Sequence, residues 1–475
     1  MIPTSRAFKE NAREALGDPN LQKAMTNLRA GFVERRALMI SRLPEWEQLR
    51  DQAVAIKKHA LANLDFYLET FERNVEAYGG KVHWCRDAAE ANAAVLAICR
   101  DLGAKTVTKG KSMIGEEMAV NDYLEANGIV PVETDLGEYI IQIRHEGPSH
   151  IIAPAIHLVK EQVAQSFRAT HTQLDPKRKL DDARQMCDEA RAIMRQKFLA
   201  ADVGITGANF LIAETGSSII VTNEGNGDLT QSLPRAHIVL ASLEKVVPTL
   251  EDAATILRLL ARSATGQEFS TYTTVSTGPR RASDIDGPGQ YHVVLLDNGR
   301  SALLGTEFED MLRCIRCAAC LNHCPVYEAV GGKAYGWVYP GPMGAVLTPS
   351  LLGIEEAGNL PNASTFCGRC ESVCPMKIPL PKMMRHWRER EFSRHLSPLA
   401  ARWGIALWAF LAARPFLYHA LAEISARLLG FFGKRSGRFR TLPLASGWTD
   451  TRDMPAPQGR SFHSLWKALH EKAGP

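Results

Sequence analysis

Several features of secreted, membrane and nucleic-acid-binding proteins are missing from this 475-residue sequence. It has no uncharged apolar run of 18 residues, so a membrane-spanning helix is not expected. Residues 1–6 lead straight into charged sequence, without the apolar core of a secretion signal. Lysine and arginine number 56 against 52 aspartate and glutamate, which is too balanced for a typical nucleic-acid-binding surface. We therefore expect a cytoplasmic protein that does not bind nucleic acid.

Two nucleotide-binding motifs are incomplete. Residues 110–112 (GKS) resemble the end of a P-loop, but Lys105 occupies the position of the required upstream glycine. Residues 225–227 (GNG) begin like a dinucleotide fingerprint, but Thr230 stands where the third glycine belongs. The sequence therefore predicts neither an ATP site nor an NAD site.

Cysteine, by contrast, is concentrated in one part of the chain. Seven of the ten cysteines form two runs, CxxCxxCxxxCP at 314–325 and CxxCxxxCP at 367–375. The first run is the bacterial ferredoxin pattern, in which three thiolates hold one cluster and the fourth ligates another. A zinc site would use four ligands in paired Cys-x2-Cys units, and a disulfide framework is typical of short secreted proteins. The spacing predicts iron–sulfur clusters, one-electron transfer and a reducing compartment.

The second run is one ligand short. A complete motif would place a cysteine three residues before Cys367, where the sequence has Ser364. Crossed ligation of two [4Fe–4S] clusters then gives an unequal pair. The predicted ligands are Cys314, Cys317, Cys320 and Cys374 for cluster 1, and Cys324, Cys367 and Cys370 for cluster 2.

The fourth position of cluster 2 has several possible occupants. It is filled by water, by Ser364 or by a partner's side chain, or it is empty in a [3Fe–4S] cluster. An open iron can bind a substrate as a Lewis acid. The simpler alternative, which we favour, is a three-cysteine cluster that only carries electrons.

Composition and periodicity divide the chain into four parts. Residues 1–75 predict helices, because apolar residues recur there at helical spacing. Residues 76–300 alternate β-like and helical runs, which indicates an α/β domain with a largely parallel sheet. Residues 301–385 carry the cysteine runs in an α-helical ferredoxin-type domain, with a long glycine-rich loop between the runs. Residues 386–475 are predicted to form a helical and extended tail.

The tail contains an interrupted apolar stretch. Residues 403–413 carry no charge, and residues 416–432 carry only Glu423 and Arg427. Basic residues follow at 434–440. This pattern suits a docking helix or peripheral contact with an anionic membrane surface, and packing on the α/β domain is the alternative.

Polar residues follow several predicted strands, where parallel sheets place their functional loops. The candidate anion or substrate loops contain Lys109, Lys111, Ser112, Glu214, Asn223, Glu224 and Gly225. The same residue types also suit turns for backbone reasons, so a ligand site and a structural role remain alternatives.

Taken together, these features resemble the lactate-utilisation B family, whose α/β part is called the LUD domain. The resemblance rests on TKGKSM at 108–113, ETDLGE at 133–138, AETG at 213–216 and TNEGN at 222–226. It rests also on the cysteines, with the gap at Ser364, and on WTDTRD at 448–453. The resemblance implies a NagB/RpiA/CoA-transferase-like fold for the α/β part and a helical ferredoxin domain like that of respiratory iron–sulfur subunits. It also implies that all seven cysteines are cluster ligands.

The same resemblance implies electron transfer in the oxidation of L-lactate to pyruvate. It implies two partners, a cysteine-rich redox subunit and a small LUD-domain subunit, but does not identify the subunit that oxidises lactate. Two functions stay open. The chain is either an electron-transfer subunit of an oxidoreductase complex, or its α/β domain itself acts on lactate or a related small acid with the clusters as electron acceptors.

Overall fold

The structure, a computed structural model, describes residues 3–442, 449 and 452–472. Part of the tail motif predicted at 448–453 therefore lies outside the described residues. The chain divides into two compact units, residues 1–390 and residues 391–475.

The first unit begins with helices. They are α1 Phe8–Gly17, α2 Pro19–Met25, α3 Arg35–Ser41, α4 Trp46–Ala62 and α5 Leu64–Ala77, with a π-helical segment Arg29–Glu34 before α3. The sequence predicts one helical run across residues 45–78, but the structure breaks it at Asn63. The amide of Asn63 donates to the carbonyl of His59 at 2.9 Å, and asparagine side chains compete in this way with helical backbone bonds.

A six-stranded parallel sheet forms the centre of the α/β part. Its strands are β1 Lys81–Cys85, β2 Thr106–Gly110, β3 Val130–Glu133, β4 Val203–Gly207, β7 Ala236–Ser242 and β10 Gln290–Leu296. They lie in the order β1-β10-β7-β4-β2-β3, and every neighbouring pair is parallel. Every residue of β7 is buried, as expected for a central strand covered on both faces. The carboxyl ends of all six strands therefore meet along one edge.

A second, mixed sheet packs against this part. It has the order β8-β5-β6-β9, with β5 Phe210–Ile212, β6 Ser217–Thr222, β8 Val246–Val247 and β9 Tyr272–Ser276. The connecting helices are α6 Ala88–Asp101, α7 Met113–Glu117, α8 Val120–Ala126, α9 Leu136–Ile143, α10 Lys160–Thr170, α11 Ala183–Ala200, α12 Asn226–Ser232 and α13 Leu250–Ala264. Thr249 and Asp252 form a capping box that fixes the start of α13.

The cysteine-rich part is helical. Its helices are α14 Ala319–Asn322, α15 Pro325–Val330, α16 Gly341–Leu352, α17 Ile354–Ala357, α18 Arg369–Ser372 and α19 Leu380–Ser393. The sequence predicts a loop up to Gly344 and a helix from Pro349, but α16 already begins at Gly341 and ends before Gly353. Proline is tolerated in the first turn of a helix, so Pro342 does not prevent this start.

One apolar core joins the helices at the amino terminus to the cysteine-rich part. It contains Phe8, Trp46, Phe308 and Tyr327, together with Ile256 of α13. The rings of Phe8 and Tyr335 meet edge to face with centroids 5.2 Å apart. The cysteine runs are therefore anchored in the core of the first unit.

The second unit contains α20 Leu399–Ala412, α21 Pro415–Gly433 and α22 Phe462–Lys472, and a two-stranded pair of β11 Arg438–Phe439 and β12 Met454–Pro455. None of the side chains of α20 is buried, and Trp403 and Phe416 are 73% and 83% exposed. Among the described residues, no single helix is long and apolar enough to cross a membrane. The pair α20 and α21 meets the length and composition criteria jointly, with a bend of 110°.

Candidate iron–sulfur sites and the adjoining cavity

The first cysteine run is held by two tight turns. Cys314 follows a 3-10 turn, Glu309–Arg313, and α14 begins directly after Ala318. Arg316 and Ala318 have φ values of 59° and 61°. Left-handed backbone at residues other than glycine costs on the order of 1–2 kcal/mol and persists where the surroundings hold it. Such strain is common at functional sites, and here it wraps the chain tightly around the thiols.

The second run repeats this geometry with an offset of 50 residues. Phe366 and Gly368 have φ values of 53° and 78°, and α18 then corresponds to α14. Ser364 occupies the position that Cys314 has in the first run. Its Oγ accepts a hydrogen bond from the backbone N–H of Phe366 at 3.1 Å. The missing cysteine is thus replaced by a serine whose hydroxyl stabilises the local turn.

Thiols from both runs line one cavity. Its cysteines are Cys314, Cys317, Cys320 and Cys374, and most of its other walls are apolar, with Met311 and Met343 among them. This is the set that crossed ligation predicts for cluster 1. Within the described ranges, no group of three or more His, Cys, Asp or Glu side chains is close enough to hold a single metal ion.

The other three cysteines form a second group. Burial, followed by the neighbouring charge of Cys324, raises the pKa of Cys370 to about 12. The pKa of Cys324 is raised by burial, with a contribution from Cys367. Cys367 is exposed, and backbone N–H donation from Arg369 is the main reason why its pKa is lowered. The predicted ligands of cluster 2 thus lie near one another, with one of them at the surface.

The chemistry of the thiols fits iron–sulfur clusters. Burial raises the pKa of Cys317 well above its ordinary value and that of Cys374 to about 11, so neither is a thiolate at neutral pH without a metal. A coordinating metal removes the thiol proton outright. Backbone N–H groups already point at the sulfurs, from Ala319 to Cys317 and from Ile378 to Cys374. Hydrogen bonds of this kind stabilise thiolate ligands and set cluster potentials.

Two buried arginines from the helices at the amino terminus hold the second run in place. Arg36 of α3 donates to the carbonyl of Val373 at 2.7 Å, and Arg50 of α4 donates to the carbonyl of Cys374 at 2.6 Å. Their positive charge lies beside the first cavity, since Cys317 and Cys374 both interact electrostatically with Arg36. Positive charge near a cluster favours its reduced form.

A buried ionic network connects the α/β part with the first cysteine run. Arg300 forms ion pairs with Glu117 at 2.6 Å and with Glu244 at 3.2 Å. Glu244 in turn pairs with Arg316 at 3.2 Å, and the hydroxyl of Tyr339 donates to Glu117 at 2.6 Å. The side chains of Arg300, Glu117 and Glu244 are at most 2% exposed. Such a network holds Arg316, and with it the loop between Cys314 and Cys317.

A second cavity lies at the carboxyl edge of the six-stranded sheet, and we call it the sheet-edge cavity. It is lined by residues that follow β2, β3, β4 and β7, and it has a volume of about 160 Å³. Arg316 and Tyr339 of the cysteine-rich part complete its wall. Arg316 and Ile151 line both this cavity and the one with four thiols, so the two cavities share a wall.

The structure brings some of the predicted loop residues to this cavity. Lys111, Ser112 and Asn223 line it. Lys111 pairs with Asp135 and lies 3.6 Å from Glu224, while the hydroxyl of Ser112 caps α7 by accepting from the N–H of Gly115.

The other predicted loop residues lie elsewhere. Lys109 is buried inside β2 and pairs with Glu116 at 2.6 Å and with Glu133 at 2.8 Å. Glu214 sits in the turn before β6, whereas Asn223 follows its far end, so the length of β6 separates them. Gly225, with φ of 72°, precedes α12. The seven residues therefore do not form one group, and their role in anion binding stays a prediction.

Sequence reasoning missed most of the polar residues of the sheet-edge cavity, among them Lys245, Arg316, Thr222 and Asn209. Lys245 lies three residues after the end of the central strand β7. Ligands of parallel sheets bind at the carboxyl ends of strands, so the sequence could have identified Lys245 as a candidate. Arg316 lies inside the cysteine run, and nothing in the sequence brings it to the edge of the sheet.

Three family models match successive parts of the chain from residue 68 onwards. A family model described as LUD domain matches residues 68–296, and one described as 4Fe-4S dicluster domain matches residues 310–378. A third, described as Lactate utilisation protein B, C-terminal, matches residues 369–471.

Curated relatives are similar over their full length. Lactate utilization protein B of Macrococcus caseolyticus is 41% identical over 99% of this chain and 98% of its own. The protein of the same name from Geobacillus kaustophilus is 41% identical over 98% of both chains. An Escherichia coli protein named as an uncharacterized electron transport protein, YkgF, is 39% identical over 98% of both.

Among solved structures, a crystal structure of a DUF162 family protein from Deinococcus radiodurans is 14% identical, with a TM-score of 0.26. It covers 49% of this chain and 98% of that chain, and the likeness is too weak to assign a fold.

Proposed function

The chain belongs to the lactate utilization protein B family, and from that premise we propose that it is an iron–sulfur electron-transfer protein in the oxidation of L-lactate to pyruvate. One observation supports this proposal above the others. Cys374 of the second run lines the same cavity as Cys314, Cys317 and Cys320 of the first, as a ferredoxin-type pair of clusters requires.

We propose that cluster 1 is held by those four cysteines and cluster 2 by Cys324, Cys367 and Cys370. When bound, such clusters supply one-electron transfer. The backbone amides of Ala319 and Ile378 stabilise two of the thiolate ligands, and Arg36 and Arg50 hold the loop that carries Cys374. The chain's own residues thus fix the ligands and set the charge around them.

The proposal includes an unequal pair of sites. Ser364 stands at the position of a fourth ligand, but its hydroxyl accepts a backbone hydrogen bond. Cys367 is exposed, whereas the ligands proposed for cluster 1 are buried or half-buried. We infer that cluster 2 is the more labile of the two and that it lies nearer to solvent or to a partner protein.

Membership of a lactate utilisation system implies further proteins. We propose that the chain works with a cysteine-rich redox subunit and a small LUD-domain subunit. We propose also that α20 and α21 bind one of these subunits or the membrane surface. Both helices expose large apolar side chains, and a helix that is apolar on nearly all sides is stable only when it is covered.

The finer fold of the α/β part belongs to the same proposal. The six parallel strands and their helices agree with the NagB/RpiA/CoA-transferase-like fold that the family resemblance implies. In such sheets, ligands bind at the carboxyl ends of the strands, which is where the sheet-edge cavity lies.

Two measurements test the proposed function. Anaerobic reconstitution of the full chain should give about seven to eight irons per chain, with matching sulfide. In a bacterium that grows on L-lactate, deletion of the gene should abolish that growth, and the wild-type gene should restore it while Cys317→Ser should not. A stoichiometry of one zinc without sulfide, or normal growth on lactate with Cys317→Ser, would contradict the proposal.

A further inference from the structure

We propose that the sheet-edge cavity binds a small carboxylate with a hydroxyl or oxo oxygen on the neighbouring carbon, directly beside the first cluster site. The cavity itself favours the charge, the size and the position of this ligand. The choice of 2-hydroxy or 2-oxo acids as its chemical class rests on the proposed function.

Two cationic side chains in the cavity wall, Lys245 and Arg316, have nitrogen atoms without a hydrogen-bond partner among the described residues. Lys245 is 8% exposed, and its ammonium group makes no hydrogen bond or ion pair with any described residue. Arg316 uses one terminal nitrogen for Glu244, but its Nη1 is buried and has no hydrogen-bond partner within the described part of the chain. A buried charge without a hydrogen-bonded partner is costly, so Lys245 points to a missing anion. The charge of Arg316 is already shared with Glu244 and the ring of Tyr339, and its Nη1 is available only as a further donor.

The remaining charges of the wall nearly cancel. Lys111 is paired with Asp135. Burial, followed by the charge of Asp135, raises the pKa of Glu138 well above its ordinary value, which favours the neutral form of this carboxyl. Burial and the neighbouring Arg316 lower the pKa of Lys245 to about 8, which still leaves it mostly protonated at pH 7. The cavity therefore carries excess positive charge.

The size of the cavity restricts the ligand. Its volume of about 160 Å³ is below the roughly 300–1,000 Å³ typical of sites for drug-sized ligands, which favours a small ligand. A three- or four-carbon acid has the right size.

Neutral polar groups in the wall match a second oxygen on the ligand. The hydroxyl of Thr222 is buried without a hydrogen-bond partner. The side-chain oxygen of Asn209 accepts a hydrogen bond from the backbone N–H of Val221 at 3.0 Å. The side-chain N–H groups of Asn209 donate to none of the described residues. Leu240 and Leu260 line the apolar part of the wall, where a short alkyl group fits. Charge, hydrogen-bond donors and apolar wall together favour a 2-hydroxy or 2-oxo acid over inorganic phosphate.

Because the sheet-edge cavity adjoins the site of cluster 1, a bound ligand should change the reduction potential of that cluster. Arg316 and Ile151 separate it from the cavity that contains the four thiols. A bound carboxylate would neutralise positive charge next to the cluster. Negative charge added at short range in a buried site disfavours reduction, so ligand binding should lower the reduction potential of cluster 1.

The test uses the full chain with both clusters reconstituted anaerobically. Isothermal titration at pH 7 with L-lactate, pyruvate, acetate and inorganic phosphate should show 1:1 binding of the first two acids. Acetate lacks the second oxygen, and we expect it and phosphate to bind at least tenfold more weakly. A redox titration followed by electron paramagnetic resonance should show a lower midpoint potential for cluster 1 at saturating L-lactate or pyruvate.

Variants identify the site. Lys245→Met and Thr222→Val should each weaken binding about tenfold or more, because each removes a polar partner of the ligand. The matched control is Lys105→Met, the same substitution on an exposed lysine at the opposite edge of the sheet, which should bind like wild type. Thr222→Val preserves the shape of the side chain, so it tests the site even if Lys245→Met fails to fold. Iron and sulfide contents equal to wild type confirm intact clusters.

The outcomes separate this inference from the proposed function. A chain that holds both clusters and supports growth on lactate, but binds neither acid, overturns the inference alone. Tighter binding of phosphate, or unchanged binding in Lys245→Met and Thr222→Val, overturns it as well. A chain that binds both acids with the expected effects of the variants, but takes up no iron and sulfide, supports the cavity assignment and overturns the proposed function.

Discussion

Replacing Arg300 by methionine should destabilise the first unit strongly. Arg300 is 1% exposed and neutralises Glu117 and Glu244, which are 0% and 2% exposed. Methionine fills similar space but leaves both carboxylates without their principal cation. Breaking a buried ion pair by removing one partner costs about 3–5 kcal/mol.

The electrostatics of Glu244 give a similar magnitude. Burial alone would raise its pKa, but Arg300, followed by Arg316 and Lys245, outweighs burial and lowers the pKa from 4.5 to about 2. A difference of that size corresponds to about 3 kcal/mol. Because the folded-state pKa is depressed, this stabilisation is complete above the ordinary carboxyl pKa. It is lost as the pH falls from about 4.5 towards 2.

The assay is urea unfolding of the cluster-loaded chain under anaerobic conditions, followed by tryptophan fluorescence and cluster absorbance. At pH 7 we expect a loss of about 3–5 kcal/mol in the free energy of unfolding for Arg300→Met. The difference from wild type should shrink below about pH 4.5. The matched control is Arg86→Met, which removes an exposed arginine paired with Glu90 and should change little.

A triple variant isolates the cause. Adding Glu117→Gln and Glu244→Gln to Arg300→Met removes the two unpaired charges and should recover part of the lost stability. A loss below about 1 kcal/mol in Arg300→Met, or no recovery in the triple variant, would refute the argument that unpaired buried charge is the cost.

Three further outcomes are expected. Ser364→Cys should supply a fourth ligand to cluster 2 and suppress its oxidative conversion to [3Fe–4S]; an unchanged oxidation spectrum would place Ser364 away from the cluster. Cys374→Ala should remove the signal of cluster 1, and Cys324→Ala that of cluster 2; the opposite assignment would reject crossed ligation. Deletion of residues 396–475 keeps α19 intact, so both clusters should remain while co-purification with partner subunits or membranes is lost. Loss of the clusters in that variant would instead make the tail part of the folded core.

The cysteine spacing and the apolar strands could be predicted from the sequence because both depend only on residues that are neighbours in the chain. The cysteine spacing predicts cluster binding since one short turn presents three thiols, whatever the rest of the chain does. Strands β7 and β10 each contain four consecutive apolar residues, 238–241 and 293–296, as is typical of strands buried on both faces of a parallel sheet. The family motifs likewise pointed to the assignment that full-length relatives support.

Features that arise where distant segments of the chain approach each other could not be predicted from the sequence. Strand β4 was not predicted, because its sequence contains two glycines and few apolar residues. Gly204 is needed there, since a Cβ atom at that position would lie 1.7 Å from the carbonyl oxygen of Thr230. The early start of α16 also depends on burial that local propensity does not contain, since its first nine residues are all buried.

The sequence by itself determined that this protein carries seven cysteines with iron–sulfur spacing and an α/β domain with a parallel sheet. Crossed ligation already predicted from the spacing that Cys374 joins the first run, and the structure has these four thiols around one cavity. Only the tertiary structure decided that Lys245 and Arg316 line a second cavity, which shares a wall with the first. The reason is physical: ligand spacing and apolar periodicity are properties of the local chain. Unpaired buried charges and shared walls arise only when segments far apart in sequence pack together.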